Sequence, residues 1–247
     1  MKYFIESTGY SDIGCFRENN EDYWDEYPAK QFYILADGMG GHQAGEVASQ
    51  MSTKELINGI KKINLEKLSA EQAIEELKKL VIQVNQKIYN IGKSHFELRG
   101  MGTTLCCLLF KEEQAILANI GDSRIYLYRK HLQQLSKDHS YQQELILKFG
   151  DSYPHSFKQL HKNVITKALG ITPYVEPNTK SFLVESDDIY LLCSDGLTDY
   201  VENKQIEKVL ADHNSLEEAK MTLIELAKNN GSRDNITVVL LRVVSNG

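Results

Sequence analysis

The chain has 247 residues, of which 42% are hydrophobic and 25% charged, and its formal net charge is −6. These values are typical of a globular protein, and the acidic balance argues against general nucleic-acid binding. No apolar stretch approaches the ~20 residues that span a bilayer, which argues against a membrane protein. Residues 1–7 lack the apolar core of a secretory signal, so we expect a cytoplasmic protein.

Strand-like runs and two pairs of helical segments alternate along the chain. Short polar turns separate many of the strands, which favours antiparallel pairing. Ser69 and Gln72 form a capping-box pattern at the start of the second helix, and its apolar residues follow one stripe. The predicted strands are 3–8, 32–36, 103–110, 114–119, 123–129, 180–184, 188–193 and 236–243, and the predicted helices are 46–62, one opening at Ser69, 203–212 and 215–229.

No Pro/Gly/Ser-rich linker or internal repeat divides the sequence, so we expect a single domain over residues 1–247. Helices layered outside two antiparallel sheets would bury every apolar stripe. The sequence therefore predicts an α+β fold with helix pairs on both sides of two mainly antiparallel sheets.

Four short stretches each bring an aspartate to the edge of an apolar run. Carboxylates gathered from distant parts of a chain repel one another unless a cation lies between them, and hard divalent cations with oxygen ligands are the usual solution. The chain has no cysteine or histidine spacing typical of zinc, and an arginine beside such a cluster indicates phosphate chemistry. The stretches are residues 17–22, 37–42, 194–196 and 233–235.

Simpler interpretations exist for these residues. Asp37-Gly38 and Asp195-Gly196 are each consistent with a hairpin turn, although both lead into helical segments instead of a second strand. Arg17 is also consistent with a surface ion pair to Glu21 or Asp22, although its planar guanidinium is better suited to a phosphoryl group. Asp122 is at least as consistent with a turn between two strands. His42 is a candidate proton donor at neutral pH, but histidines are also common as structural residues.

The motifs occur in an order and spacing that resemble the metal-dependent protein phosphatase (protein phosphatase 2C) family, and its compact bacterial members above all. The similarity extends from about Thr8 to Val243. The matching motifs are 17–22, 37–42, Met101-Gly102-Thr103-Thr104, 119–124, 194–197 and 234–237.

The resemblance implies a four-layer α-β-β-α sandwich with two Mg²⁺ or Mn²⁺ ions at one end of the sheets. Asp37 would bridge both ions, and Asp195 and Asp234 would bind the first. The Gly38 carbonyl and Asp22 would bind the second, with Glu21 as the alternative to Asp22.

The same resemblance assigns Asp122, together with Asp195, to a third and weaker metal. Arg17 would hold the phosphate oxygens while a metal-activated water attacks phosphorus. His42 or a water would protonate the leaving oxygen. Residues 138–170 would form a variable flap over the site.

The function implied is metal-dependent hydrolysis of phosphoserine and phosphothreonine in proteins by a monomer, opposing a bacterial serine/threonine kinase. One alternative is a pseudophosphatase that binds phosphoproteins without turnover. Another is a nuclease, which the acidic net charge and the lack of a basic stripe disfavour. No nucleic acid or membrane is expected as a partner.

Overall fold

The computed structural model describes residues 3–40, 44–150 and 164–245. Within these residues the strands form two antiparallel sheets, and the longer helices lie outside them. The strands are β1 Tyr3–Asp12, β2 Asp22–Tyr27, β3 Phe32–Met39, β4 Gly102–Thr103, β5 Leu105–Lys111, β6 Gln114–Ile120, β7 Arg124–Arg129, β8 His131–Gln134, β9 Asn178–Leu183, β10 Ile189–Cys193 and β11 Ile236–Ser245. The helices are α1 Ala44–Lys62, α2 Ala70–Ser94, α3 Tyr141–Phe149, α4 Asp195–Thr198, α5 Asn203–Asp212 and α6 Leu216–Asn229.

The two sheets use strands from both ends of the sequence. The first sheet has the order β1-β11-β10-β7-β8, and the second has the order β2-β3-β5-β6-β9, with β4 paired to the end of β3. In the first sheet, β1 and β11 pair along their whole length, from Tyr3↔Ser245 to Asp12↔Ile236. The first and last strands are therefore neighbours, which brings residues near both termini to the same end of the sandwich.

Alternation along the strands divides the hydrophobic core into three layers. In β3, Phe32 and Ile34 pack with α1 and α2, whereas Tyr33 and Leu35 point to the other sheet. In β10, Leu191 packs with α5 and α6 on the outer face of the first sheet, since successive side chains of a strand face opposite sides. Helices, sheet, sheet and helices thus form four layers, which confirms the predicted fold class.

Helix ends follow the local sequence. Ser69 accepts a hydrogen bond from the Gln72 N–H, and the Gln72 side chain accepts one from the Ser69 N–H, so the predicted capping box is present. Ser215 also caps its helix by accepting from the Glu218 N–H. No helix among the described residues is both long and apolar enough to cross a membrane.

The predicted flap is described only in part. Helix α3 follows Ser140, which accepts a hydrogen bond from the Gln143 N–H, and Ser140 forms a bridge with Ile165. Residues 151–163 of the flap lie outside the described residues. The predicted division into one domain with a flap over 138–170 stays a prediction.

Candidate active site

Asp37 lies near the end of β3 and its backbone is held by the Thr103-Thr104 pair. The Asp37 N–H donates to Thr104 Oγ1 (2.9 Å), and its carbonyl accepts from the Thr104 N–H (2.8 Å) and Thr103 Oγ1 (2.9 Å). The next residue must be glycine, because a Cβ at Gly38 would lie 2.2 Å from the Gly45 carbonyl oxygen. The start of α1 can therefore pack directly on the Asp37-Gly38 backbone.

Asp195 opens the short helix α4 directly after β10. A Cβ on the next residue, Gly196, would lie 1.9 Å from the carbonyl oxygen of Asn235, so only glycine fits there. Ser232 Oγ donates to the Gly196 carbonyl (2.8 Å), which further ties this helix to the segment preceding β11. Asp195 and Asp234 are thereby held near each other, although they come from different elements.

Asn235 holds the loop that carries Arg17. Its side-chain amide donates to the carbonyls of Ile13 (2.9 Å) and Asn19 (3.0 Å) and accepts from the Glu21 N–H (2.9 Å). Asn235 is almost fully buried, so these bonds are protected from water. The sequence motif contained this residue, but its spacing alone gave no sign of a link to the Arg17 loop.

Arg17 pairs with Asp234 in this arrangement. Its Nη2 donates to Asp234 Oδ2 at 2.7 Å, and both side chains remain substantially exposed. An exposed ion pair contributes little to stability, so Arg17 can exchange this partner for another anion at small cost.

Five of the predicted site residues line one open cavity of about 480 Å³, which we call the acidic cleft. They are Arg17, Asp37, Gly38, Asp195 and Asp234. Glu18, Asn19, Glu21, Met39, Gly40 and Ile165 complete its lining.

The two central carboxyls of the cleft are hard to ionise in the protein alone. Burial raises the pKa of Asp37 well above its usual range, and the charges of Asp22 and Asp195 add to the effect. Burial likewise raises the pKa of Asp195, followed by the charges of Asp122 and Asp234. A cation placed among these carboxylates would reverse the penalty, since it favours the charged form of each.

Asp22 lies behind the cleft and does not line it. It pairs with Asp37 across β2 and β3, and its Oδ2 accepts hydrogen bonds from Ser194 Oγ (2.7 Å) and Thr237 Oγ1 (2.7 Å). Burial raises the pKa of Asp22 to about 6, although both hydroxyl donors act in the opposite direction. One oxygen of this predicted ligand is thus already engaged by the protein.

Glu21 is the predicted alternative to Asp22 as a ligand of the second ion. It lines the acidic cleft, and its carboxylate lies against Gly45, where a Cβ would be 2.9 Å from Glu21 Oε1. The Gly38 carbonyl carbon is at the same distance from that Cβ position, 2.9 Å. Glu21 and the Gly38 carbonyl therefore come together at the start of α1.

Asp122 lies in the turn between β6 and β7 and is buried. Burial raises its pKa to about 6, with the charge of Asp138 as the next cause. Its Oδ1 is buried without a hydrogen-bond partner among the described residues. Asp122 lines a small recess of about 30 Å³ beside the cleft, together with Asp138, Asp195 and Asp199. Asp195 lines both spaces.

His42, the predicted proton donor, lies outside the described residues. The larger cavity of about 800 Å³ is at the opposite end of β3, lined by Lys30, Lys61, Phe110 and Lys111 among others. Lys30 Nζ there donates to the carbonyls of Ile60, Lys61 and Ile63 at 2.6–2.8 Å and so caps α1. Glu66, Glu112 and Glu113 also line that cavity, but none of the predicted site residues that the structure describes does, and size alone does not make it the active site.

The donor set of the cleft suits hard divalent cations. Among the described residues no three acidic, histidine or cysteine side chains come close enough to hold one ion between them. Mg²⁺ needs fewer protein ligands than this, because it keeps several waters and binds through one or two carboxylates. Such ions fit the half-buried carboxylates of Asp37 and Asp195, which pair with no cation among the described residues, and the neighbouring Gly38 carbonyl. They also fit the Asp122 oxygen that has no hydrogen-bond partner there.

Known proteins share this architecture. The family model described as Protein phosphatase 2C matches residues 17–229. The chain belongs to the protein phosphatase 2C family. It is 38% identical over 235 residues to the serine/threonine phosphatase stp of Listeria monocytogenes, covering 94% of this chain and 93% of that protein.

Solved structures of the family have the same fold. The serine/threonine phosphatase Stp1 from Staphylococcus aureus superimposes with a TM-score of 0.89 at 34% identity, covering 97% of this chain and 95% of that one. The catalytic domain of the serine/threonine protein phosphatase PstP, in complex with 2 manganese ions, gives a TM-score of 0.84 at 35% identity, covering 98% of this chain and 100% of that one. The predicted family, fold class and protein phosphatase function are confirmed, and this family is metal-dependent.

Proposed function

We propose that the acidic cleft hydrolyses phosphoserine and phosphothreonine monoesters in proteins with two Mg²⁺ or Mn²⁺ ions. The observation that carries the proposal is the pair of half-buried carboxyls, Asp37 and Asp195, which share one cleft with Arg17 and have no ion-pair partner among the described residues. Such a pair favours a divalent cation, and the arginine favours a phosphoryl group.

Each ion has candidate ligands in the cleft. Asp37 would contact both ions, Asp195 would hold the first, and the Gly38 carbonyl would serve the second. Asp234 would join the first ion once Arg17 releases its carboxylate. When bound, the ions lower the pKa of a water so that it can attack phosphorus, and they offset the charge of the phosphoryl group. A third, weaker ion would bind between Asp122 and Asp195, where the unpartnered Asp122 oxygen is available.

For the carboxylate of the second ion, we favour Glu21 over Asp22. Asp22 is buried and its Oδ2 accepts two hydroxyl hydrogen bonds, whereas Glu21 lines the cleft beside Gly38. Asp22 instead links β2 to Ser194 and Thr237 of the other sheet, which fixes Asp37 and Asp195 relative to each other. The predicted Asp22 ligand and its Glu21 alternative thus acquire different roles.

Arg17 binds the substrate phosphate. Its guanidinium leaves Asp234, an exposed partner, and donates two parallel hydrogen bonds to phosphate oxygens. Asp234 is then available to the first ion, so phosphate and metal binding support each other. His42 remains our candidate for protonating the leaving serine or threonine oxygen, with a water as the alternative.

We also propose the wider setting that the sequence predicts. The enzyme acts as a cytoplasmic monomer, with residues 1–247 as one catalytic domain, and opposes a bacterial serine/threonine kinase. Arg17, Asp37, Asp195 and Asp234 are all present, which disfavours a pseudophosphatase that only binds phosphoproteins.

Phosphate release from a phosphothreonine peptide tests the proposal, measured with Mn²⁺, with Mg²⁺ and with EDTA. We expect turnover with either ion and none with EDTA. A folded protein that binds Mn²⁺ but releases no phosphate would be a pseudophosphatase, and the proposal would be wrong.

The assignment of Glu21 is tested separately by Glu21→Gln and Asp22→Asn. Asparagine can still accept hydrogen bonds from Ser194 and Thr237, so Asp22→Asn should leave the Mn²⁺ concentration for half-maximal rate nearly unchanged. Glu21→Gln should raise that concentration. The reverse pattern would return the ligand role to Asp22.

A further inference from the structure

Phe16 and Arg233 form a pair at the edge of the acidic cleft, which we call the Phe16–Arg233 rim. The guanidinium carbon of Arg233 lies 5.6 Å from the centre of the Phe16 ring, and Phe16 is 63% exposed. Each residue immediately precedes a residue of the cleft, Arg17 and Asp234 respectively. The rim is therefore beside the place where the substrate phosphate binds.

The rim is fixed in place by buried contacts beneath it. Asn235, two residues after Arg233, donates to the carbonyls of Ile13 and Asn19 on either side of Phe16. The Asn235 side chain also accepts a hydrogen bond from the Glu21 N–H (2.9 Å), so these contacts persist when Arg17 leaves Asp234. An exposed aromatic ring held in this way costs little side-chain entropy when a ligand packs on it.

Arg233 has no acidic partner among the described residues, which distinguishes it from most arginines of the chain. Arg124, Arg129 and Arg242 each pair with an aspartate or glutamate. A guanidinium stacked on an aromatic face keeps its in-plane N–H donors free for a carboxylate or a phosphate. The rim thus presents an apolar surface and an unpaired positive charge to solvent.

We propose that the Phe16–Arg233 rim is a substrate subsite that binds an acidic side chain close in sequence to the phosphoserine or phosphothreonine. The inference rests on the proposed function and adds a sequence preference to it. Arg233 would pair with the substrate carboxylate, and Phe16 would pack on the methylenes of the same side chain. Complementary charge at a rim acts mainly on selectivity and association.

Matched peptides test the subsite. One phosphothreonine peptide carries glutamate on each side of the phosphothreonine, and the second carries glutamine at the same positions. The value of kcat/KM for each peptide is measured with Mn²⁺. Wild-type protein should prefer the glutamate peptide about three- to fivefold, as expected for one exposed ion pair. Arg233→Gln should abolish this preference, Phe16→Ala should reduce it, and p-nitrophenyl phosphate turnover should stay unchanged in both.

Phe96 and Arg99 provide matched controls, because they are an exposed aromatic and an exposed arginine outside the cleft lining. Phe96→Ala and Arg99→Gln should keep the wild-type preference. High salt should weaken the preference, since exposed charges are screened.

The outcomes separate the two proposals. If wild-type protein hydrolyses p-nitrophenyl phosphate but does not distinguish the peptides, or if Arg233→Gln keeps the preference, the subsite is wrong and the phosphatase proposal stands. If the folded wild-type protein hydrolyses neither p-nitrophenyl phosphate nor the phosphothreonine peptides, the proposed function is wrong and the subsite with it.

Discussion

Two aspartates flank the same buried strand, β10, and their surroundings are opposite. Before the strand, both oxygens of Asp188 accept hydrogen bonds from Arg129, from Nε at 2.6 Å and from Nη2 at 2.6 Å. After the strand, Asp195 has no arginine or lysine paired with it among the described residues, and the charges of Asp122 and Asp234 help to raise its pKa.

The comparison shows how one residue type serves two purposes in one fold. A buried carboxylate with its own cation is neutralised by the protein and contributes to structure. A half-buried carboxylate surrounded by other acids is left for a cation from solution, and such a site can do chemistry. Substitution of the two aspartates should therefore have opposite effects.

Asp195→Ala should give the largest effect, a loss of turnover of at least about a hundredfold, because a metal contributes several kcal/mol to the transition state. In EDTA the variant should be as stable as wild type or more so, since one buried repelling charge is removed. Phosphate release and urea unfolding measure the two quantities. Near-wild-type turnover at saturating Mn²⁺ would remove Asp195 from the metal site.

Asp188→Ala should do the reverse. Loss of the bidentate partner of Arg129 should lower the free energy of unfolding by about 3 kcal/mol, the low end for a broken buried pair, because Arg129 is partly exposed. The Tm should fall by about 6–12 °C for a chain of this size. kcat and KM of the folded variant should match wild type. A large drop in kcat with unchanged stability would show that Asp188 serves catalysis and does not have the structural role assigned to it here.

The two arginines differ in the same way: Arg129 donates two hydrogen bonds to Asp188, whereas Arg17 donates one to Asp234. Arg17 makes one exposed hydrogen bond to Asp234, so Arg17→Ala should leave the free energy of unfolding within about 0.5 kcal/mol of wild type. Its KM for a phosphothreonine peptide should rise by about tenfold, as expected for a lost charge-assisted hydrogen bond near 1.4 kcal/mol. An unchanged KM would exclude Arg17 from phosphate binding.

The smallest expected effect is on the pH dependence of stability. The raised pKa values of Asp22 and Asp122, each about 6, lie above the value near 3.9 expected in the unfolded chain. The folded state then binds more protons between these values, so this contribution is fully present below pH ~4 and is lost as the pH rises through ~6.

In EDTA, the free energy of unfolding should therefore fall by on the order of 1 kcal/mol for each of the two carboxyls between about pH 5 and pH 7.5. Mn²⁺ should suppress the fall because a cation favours the ionised carboxylates. Urea denaturation at the two pH values, with and without Mn²⁺, measures this. If the metal-free protein instead gains stability over the same pH range, Asp22 and Asp122 do not have raised pKa values in the folded state.

Regular elements with a clear pattern were predictable from the sequence. The helix predicted over residues 203–212 is α5 with the same bounds, and the long strands lie within a few residues of their predicted positions. The pattern missed β2, a half-buried edge strand of acidic and aromatic residues with no regular alternation between the two kinds. It also missed α3, in which no residue is buried and no apolar stripe marks a core-facing side.

The site was predictable as a set of motifs, but the division of roles within a motif was not. Glu21 and Asp22 are adjacent acids, and only the fold shows that one lines the cleft while the other accepts hydrogen bonds from Ser194 and Thr237. The Asn235 clamp on the Arg17 loop joins segments from opposite ends of the chain. Such long-range contacts carry no local signal.

Calorimetric titration with Mn²⁺ tests the central claim most directly, on wild-type protein and on the Asp195→Ala and Asp188→Ala variants, each at a temperature where it is folded. The account predicts that wild type and Asp188→Ala bind at least two ions, whereas Asp195→Ala binds fewer or much more weakly. A wild-type protein that binds no Mn²⁺, or an Asp195→Ala variant with unchanged number and affinity of ions, would contradict it.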